Sequence, residues 1–535
     1  MPPASPEAAS TGGRHALLVA TGIFLSRIAG LVRQKAMAHF LGSTMAADAF
    51  NAAFRIPNLL QNLFGEGALS ASFIPVYASL LARGTEADRV AADRVAGVVG
   101  TLLALVCAVL VAAGVLGAPY LVWLIAPGFE GPAAELSIQL VRVLFPGAGL
   151  LVVSAWCLGI LNSHRRFLLS YAAPVVWNAV MIGALLVMGP RQGTEALAYT
   201  LAIASVIGSA LQLLVQVPTV LRLAPTLRPA LDLADANVRT IVCNFGPAFV
   251  GRGVMQISSY VDSMLASLLP VGSVAVFGYA QTLYTLPVSL FGMSVSAAEL
   301  PAMSSATGTD AEVAEWLRGR LAGGLRRIAF FVIPSAIVFV LLGDTLTAAL
   351  FQSGQFGHDD TIRVWATLAG SAVGLLAQTW GRLYSSTLYA LKDTRTPLRF
   401  AVVRVALTTG LGWWMSVQLP GILGIDPTWG IAGLTASAGI AGWIEYALLK
   451  QALDRRIGRS GVAGATVARL WGAGVAAGAV GLGAKLLLGW WWPTLHPIVA
   501  AVGVLGGFGG VYLACTAAMG FTETAGVLRR LRLRR

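Results

Sequence analysis

Apolar runs long enough to cross a bilayer recur along this chain from residue 15 to residue 521, separated by short polar loops. A helical span needs about 20 apolar residues. On that rule the segments fall at 15–42, 46–82, 95–118, 135–161, 169–189, 196–221, 238–269 and 272–304. They continue at 325–351, 361–391, 397–419, 430–450, 463–489 and 496–521. Composition agrees, with 56% hydrophobic and 11% charged residues, against about 25% charged in soluble proteins. A soluble chain this poor in charge cannot cover its own surface. The fold class that follows is an all-α integral membrane protein with about 14 transmembrane helices.

The net charge is +13, a value that often signals nucleic acid, but the placement of the bases argues against that partner. They sit in the even-numbered loops: Arg83, Arg89 and Arg94; Arg165 and Arg166; Arg222, Arg228 and Arg239. The series continues with Arg318, Arg320, Arg326 and Arg327, then Lys392, Arg395 and Arg399, then Lys450, Arg455, Arg456 and Arg459. The odd loops hold little beyond Arg191, with Arg363 at a segment edge. Positive charge stays on the cytoplasmic side, so both termini are expected there, N-in and C-in. Residues 1–14, polar and rich in small residues, are expected to be disordered, with no cleavable signal peptide. Residues 522–535 read as a basic cytoplasmic tail. Trp490, Trp491 and Trp492 mark an outer interface, and the stretch from Ala118 to Pro132 is expected to lie in one.

A weak internal repeat runs through the segments. Leu63-Phe64-Gly65 in segment 2 is answered by Leu290-Phe291-Gly292 in segment 8, and the turn at Leu161–Arg166 by that at Leu391–Arg395. The offset is six helices. An even offset preserves orientation, which implies parallel repeats: one six-helix lobe at 15–222, a second at 236–453, and two further helices at 460–521.

Ten bases fall within or at the edges of spans: Arg27, Arg33, Lys35, Arg55, Arg142, Arg252, Arg382, Arg404, Arg469 and Lys485. Each costs about 2.5–3.5 kcal/mol at the bilayer centre. Arg404, Arg469 and Lys485 are close enough to segment ends to be expected to snorkel. Arg27, Arg33 and Arg55 form the densest group, joined by Arg252 from the second half. Asp48, Arg55 and Glu66 are expected to share one helix face, serving as ion-pair or gating acids around the base. A buried ion-pair network would use the same residues; the excess of base over acid favours an anion site, because arginine binds phosphate oxygens in pairs. Pro57 and Pro287, with Pro75 and Pro301, predict bends.

Other chemistry is not visible. Cys107, Cys157, Cys243 and Cys515 lie in apolar stretches without a CxxC pair, the five histidines are scattered, and no P-loop motif is present. No catalytic, metal or cofactor site is expected. Transport would draw on the membrane potential or an ion gradient.

Ser26-Arg27-Ile28-Ala29-Gly30-Leu31-Val32-Arg33 resembles the SRxxGxxR signature of the MurJ (MviN) family within the multidrug/oligosaccharidyl-lipid/polysaccharide exporter superfamily. Ala47-Asp48-Ala49-Phe50, Phe54-Arg55-Ile56-Pro57-Asn58 and Leu63-Phe64-Gly65-Glu66-Gly67-Ala68-Leu69-Ser70 follow at the family's spacing, as do later matches at Gly159–Asn162, at Ala173-Pro174 with Asn178, and at Tyr389–Pro397. The resemblance implies a lipid II flippase of the bacterial inner membrane, carrying an undecaprenyl-pyrophosphate peptidoglycan precursor outward by alternating access. It implies pyrophosphate contacts at Arg27, Arg33 and Arg55, a lipid-tail groove on segments 13 and 14, a monomeric state, and contact with membrane lipids and cell-wall synthesis machinery. Helix 8 departs from the pattern: Tyr279-Ala280-Gln281-Thr282-Leu283, with Thr285, stands where the family commonly has Tyr-Ala-Asp-Arg-Leu and a later Glu. Arg252 is expected to replace the arginine missing at Thr282. The departure keeps open a flippase for another undecaprenyl-linked oligosaccharide, or a related exporter with a different substrate.

Overall fold

A backbone in lipid must satisfy its own hydrogen bonds, and a helix does so within one segment. The computed structural model describes residues 6–492 and 494–532, with the side chains of 6–20, 23, 65–68, 247, 248, 250–259, 528 and 530–532 excepted. Among the described residues every regular element is helical, with no strand; one isolated bridge joins Ser353 and Phe356. Among the described residues ten helices are long and apolar enough to span a membrane by length and composition.

The chain divides into two compact units, Met1–Ser267 and Leu268–Arg535. The first holds α1 (Pro6–Leu41), α2 (Met45–Leu60), a π-helical stretch (Gln61–Leu69), α3 (Ser70–Arg83), α4 (Glu86–Leu116), α5 (Ala118–Ile125), α6 (Gly131–Ser163), α7 (Phe167–Met188), α8 (Thr194–Leu223) and α9 (Ala236–Ser267). α1 begins inside the stretch read as disordered, and residues 1–5 lie outside the described residues. The short α5 carries Tyr120 and Trp123 on its exposed side, within the stretch expected at an outer interface. α9, read as the opening helix of a second lobe, packs on α3 and the π-helical stretch of this unit.

The second unit holds α10 (Ser273–Pro287), a π-helical stretch (Val288–Met293), α11 (Ser294–Ser304), α12 (Asp310–Leu341), α13 (Gly343–Phe351), α14 (His358–Ala390) and α15 (Arg395–Trp413). A π-helical turn (Trp414–Gln418), α16 (Leu419–Leu423), a 3₁₀ turn (Pro427–Trp429), α17 (Gly430–Ile457), α18 (Gly464–Trp491), α19 (Pro497–Ala518) and α20 (Thr522–Arg532) complete it. The expected single segment at 325–351 is two helices. Leu342 leaves the helical conformation (φ −128°, ψ 13°) and caps both.

Each unit contains one helix broken by π-helical turns soon after a proline. Pro57 precedes Gln61–Leu69 and Pro287 directly precedes Val288–Met293. Proline has no N–H to give the ladder, and the extra residue of a π turn absorbs the local mismatch. The turns after α6 and α14 also match. Arg165 (φ 59°) and Lys392 (φ 60°) are left-handed, and the Arg166 N–H reaches Leu161 O as the Asp393 N–H reaches Leu388 O. That is a Schellman closure on a residue other than glycine.

Small residues bring the helices together, as lipid-embedded packing requires. On α14, a Cβ at Gly374 would sit 2.3 Å from Gly439 Cα of α17, and one at Gly370 would sit 2.4 Å from Ala432 O. In the first unit the loop after α8 lies along α4. Thr226 donates to buried Asp93 through its N–H (3.1 Å) and Oγ1 (2.6 Å), and Arg94 pairs with Asp232 at 2.7 Å.

Candidate functional site

α1 and α7 pack along one another, and α2 packs on α6. Four of the residues singled out in the sequence, Arg27, Arg33, Asp48 and Arg55, lie in the first unit on α1 and α2. The Arg33 guanidinium lies over the Trp177 ring, 4.7 Å from its centroid, and its Nε is buried without a hydrogen-bond partner among the described residues. The indole is fixed from behind. Its Nε1–H donates to Ser205 O at 3.1 Å, and Phe54 of α2 stacks on it at 5.7 Å. A cation over tryptophan away from water is worth about 2 kcal/mol or more, and it leaves the guanidinium N–H edges available.

Arg55 follows Phe54 on α2. Its carbonyl accepts a 3.0 Å hydrogen bond from Tyr260 of α9, and Tyr260 and Asp262 lie within electrostatic reach of its guanidinium. Asp48, two turns earlier on α2, is 4% exposed. Thr44 caps the start of this helix, accepting from Ala47 N–H, which sets the register that Asp48 and Arg55 share. Arg27 is exposed on α1 and makes no hydrogen bond or ion pair among the described residues.

The expected common face of Asp48, Arg55 and Glu66 supposed an unbroken α-helix. The π-helical stretch Gln61–Leu69 begins between Arg55 and Glu66, so the 3.6-residue period does not carry across it. The Glu66 side chain lies outside the described residues. So does that of Arg252, and with it the expected substitution for the helix 8 arginine. At the position of that arginine, Thr282 Oγ1 turns back on its own helix to Gly278 O at 3.0 Å.

The second unit has its own polar cluster. Arg404 of α15, expected to snorkel, pairs with Glu445 of α17 at 3.0 Å; Lys485, expected to do the same, pairs with Asp344 at 2.5 Å. In each case the partner is an acid outside the base's own helix. Arg382 of α14 lies within electrostatic reach of Arg404, Glu445 and Tyr284. Tyr284 of α10 donates to Gln378 Oε1 at 2.8 Å. On α11, buried Glu299 takes Arg320 at 2.9 Å and Arg327 at 3.4 Å.

Sequence reasoning weighed the bases in the spans and passed over several partners. Asp262 and Glu445 were open to view as acids in apolar segments. Trp177 had no local signal, since its role comes from meeting α1. Among the described residues no group of three or more metal-binding side chains occurs.

Membrane-length helices with guanidinium groups kept among them define a polytopic membrane protein that handles charge within the bilayer. Residues 37–501 match the family model for the lipid II flippase MurJ. The lipid II flippase MurJ of Burkholderia cenocepacia is 32% identical over 450 residues, covering 83% of this chain and 84% of that one. A solved lipid II flippase MurJ in an inward closed conformation superposes with a TM-score of 0.75 at 22% identity, covering 94% of this chain and 98% of that one. An inward-facing multidrug resistance MATE family transporter of the MOP superfamily does so at 0.61 and 18% identity, covering 82% and 99%. The chain belongs to the lipid II flippase MurJ family.

Proposed function

We propose that this chain moves lipid II, the undecaprenyl-pyrophosphate-linked peptidoglycan precursor, from the inner to the outer leaflet of the bacterial cytoplasmic membrane by alternating access. The observation that carries the reading is the family match over residues 37–501, which takes in Arg55 and ends within α19. The intramembrane arginines fit it. Pyrophosphate is a dense anion, and Arg33 and Arg55 offer planar donors that stay charged away from water.

In this reading Arg27, Arg33, Arg55 and Arg252 contact the pyrophosphate, Asp48 and Glu66 pair or gate, and Pro57 and Pro287 permit bending. α1, the α2–α3 pair, α9 and α14 complete fourteen spans with the ten apolar helices, as two six-helix lobes in parallel repeat. α18 and α19 carry the lipid-tail groove, the termini are cytoplasmic, and the chain works as a monomer driven by the membrane potential or an ion gradient. A flippase for another undecaprenyl-linked oligosaccharide is the second reading. The observation in its favour is helix 8, where Gln281, Thr282 and Thr285 replace charged residues of the family pattern.

Rescue tests the proposal. In cells depleted of their own lipid II flippase, this chain is expected to restore growth and outward movement of lipid II. Arg33→Ala and Arg55→Ala are expected to abolish rescue at normal expression. Full rescue by the triple variant Arg27→Ala, Arg33→Ala, Arg55→Ala would sink the site, and no rescue by the unaltered chain would sink the substrate.

A further inference from the structure

α14 runs for 33 residues yet is not among the ten apolar helices. The reason is a polar stripe: Gln378, Arg382, Ser385, Ser386 and Tyr389 recur at helical spacing along one side. Its other sides are packed, Gly370 and Gly374 against α17 and Leu383 against Gly324 of α12, and Gln378 lies at the edge of the α17 contact beside Gly442. Arg382, eight residues from the end of the helix at Ala390, lies about 12 Å down its axis. It is exposed and makes no hydrogen bond or ion pair among the described residues. A guanidinium at such depth faces a wet cavity or another charge, because lipid would cost it about 2.5–3.5 kcal/mol.

The neighbours decide which charge it can take. Glu445 is the acid within reach, and Arg404 already holds its Oε2 at 3.0 Å. Two guanidiniums face one carboxylate, which leaves a net positive charge. Tyr284 donates to Gln378 Oε1, so the Gln378 amide is turned with its N–H₂ group unbonded among the described residues. Arg382 and Gln378 then stand one turn apart on the stripe and both offer N–H groups. Two neighbouring groups that present only donors favour an oxyanion, to which the hydroxyls of Ser385 and Ser386 can also donate.

We propose that the stripe around Arg382 and Gln378 in the second unit is an oxyanion site, taking a phosphate oxygen of the lipid-linked diphosphate. Arg404 is a positioning residue, keeping the Glu445 carboxylate engaged and away from the anion. The identity of the ligand rests on the lipid II reading; the anion chemistry does not.

Binding to the purified full-length chain in nanodiscs, with lipid II and with inorganic pyrophosphate as separate probes, tests this. Arg382→Gln is expected to weaken lipid II binding about tenfold, with Arg382→Lys in between and melting temperatures unchanged. Glu445→Gln, which frees Arg404, is expected to tighten binding. If the unaltered chain takes pyrophosphate but not lipid II, and Arg382→Gln abolishes that, the site stands for a free phosphate and the lipid II reading falls. If the unaltered chain binds lipid II and Arg382→Gln, equally stable, binds it as well, the site is overturned while the lipid II reading stands. No binding of either probe by the unaltered chain overturns both.

Discussion

Arg33 shows how a span holds a positive charge with no acid paired to it among the described residues. The Trp177 face supplies negative potential without a proton or a hydrogen bond, and Ser205 and Phe54 keep the ring from turning away. A double-mutant cycle between Arg33→Leu and Trp177→Leu, read from denaturant unfolding, is therefore expected to give a coupling of about 0.5–2 kcal/mol. A coupling near zero would mean the two side chains are neighbours only. Of this arrangement, Arg33 was legible in the sequence because a base in an apolar run is costly. Trp177 was not, since a tryptophan in an apolar run costs nothing and its partner is 144 positions away. Asp393 is a different case, lying in a loop where water competes. Hydrogen bonds from Thr396 hold its carboxyl below the usual carboxylate range. A depressed carboxyl stabilises the fold above its unfolded value, about 3.9, and the gain is lost as pH falls through the folded value. The melting temperature of Asp393→Asn is expected to lie below that of the unaltered chain at pH 7, with the gap closing below about pH 4.

At the scale of elements, closeness of approach sets what each position tolerates. A Cβ at Gly97 of α4 would stand 2.1 Å from the Arg228 carbonyl oxygen, whereas nothing lies within 4 Å of one at Gly30 of α1. Gly97→Ala is expected to cost about 1–3 kcal/mol. Gly30→Ala is expected to gain about 0.5–1 kcal/mol from the loss of unfolded-chain freedom. Thermal unfolding in one detergent compares the two, and equal shifts would contradict the packing. The matched turns offer a second test. Arg165→Gly and Lys392→Gly relieve a left-handed residue, worth about 1 kcal/mol each, and both are expected to raise the melting temperature. These helices could be placed from apolar length alone. Their interruptions could not: a proline announces a bend, but whether the helix kinks, stops or takes up a π turn depends on what packs beside it.

For the whole molecule, the sequence reading rests on loop charge, and labelling tests it directly. In a variant lacking its four cysteines, single cysteines at Gln192 and Thr428 are expected to react with an impermeant maleimide in intact cells. Those at Thr85 and Thr309 are expected to react only after permeabilisation. The reverse pattern would invert the orientation, and a mixed one would break the count of spans. Loop charge reports sidedness well because insertion reads it residue by residue. It is silent on which helices cluster, and α9 shows why that matters: by the six-helix repeat it opens the second half, yet it packs with the first.

The loop from Ala224 to Asp235 has a consequence for dividing the chain. Because Thr226 is bound to Asp93 and Asp232 to Arg94, this stretch carries its own adhesive contacts to α4, and α9 follows it onto α3. Two separately translated pieces, 1–223 and 224–535, should therefore find each other in the membrane without a peptide bond, the second gripping the first by its leading end. Asp93→Ala is expected to weaken that reunion, read by co-purification of the two pieces, while the uncut chain still assembles.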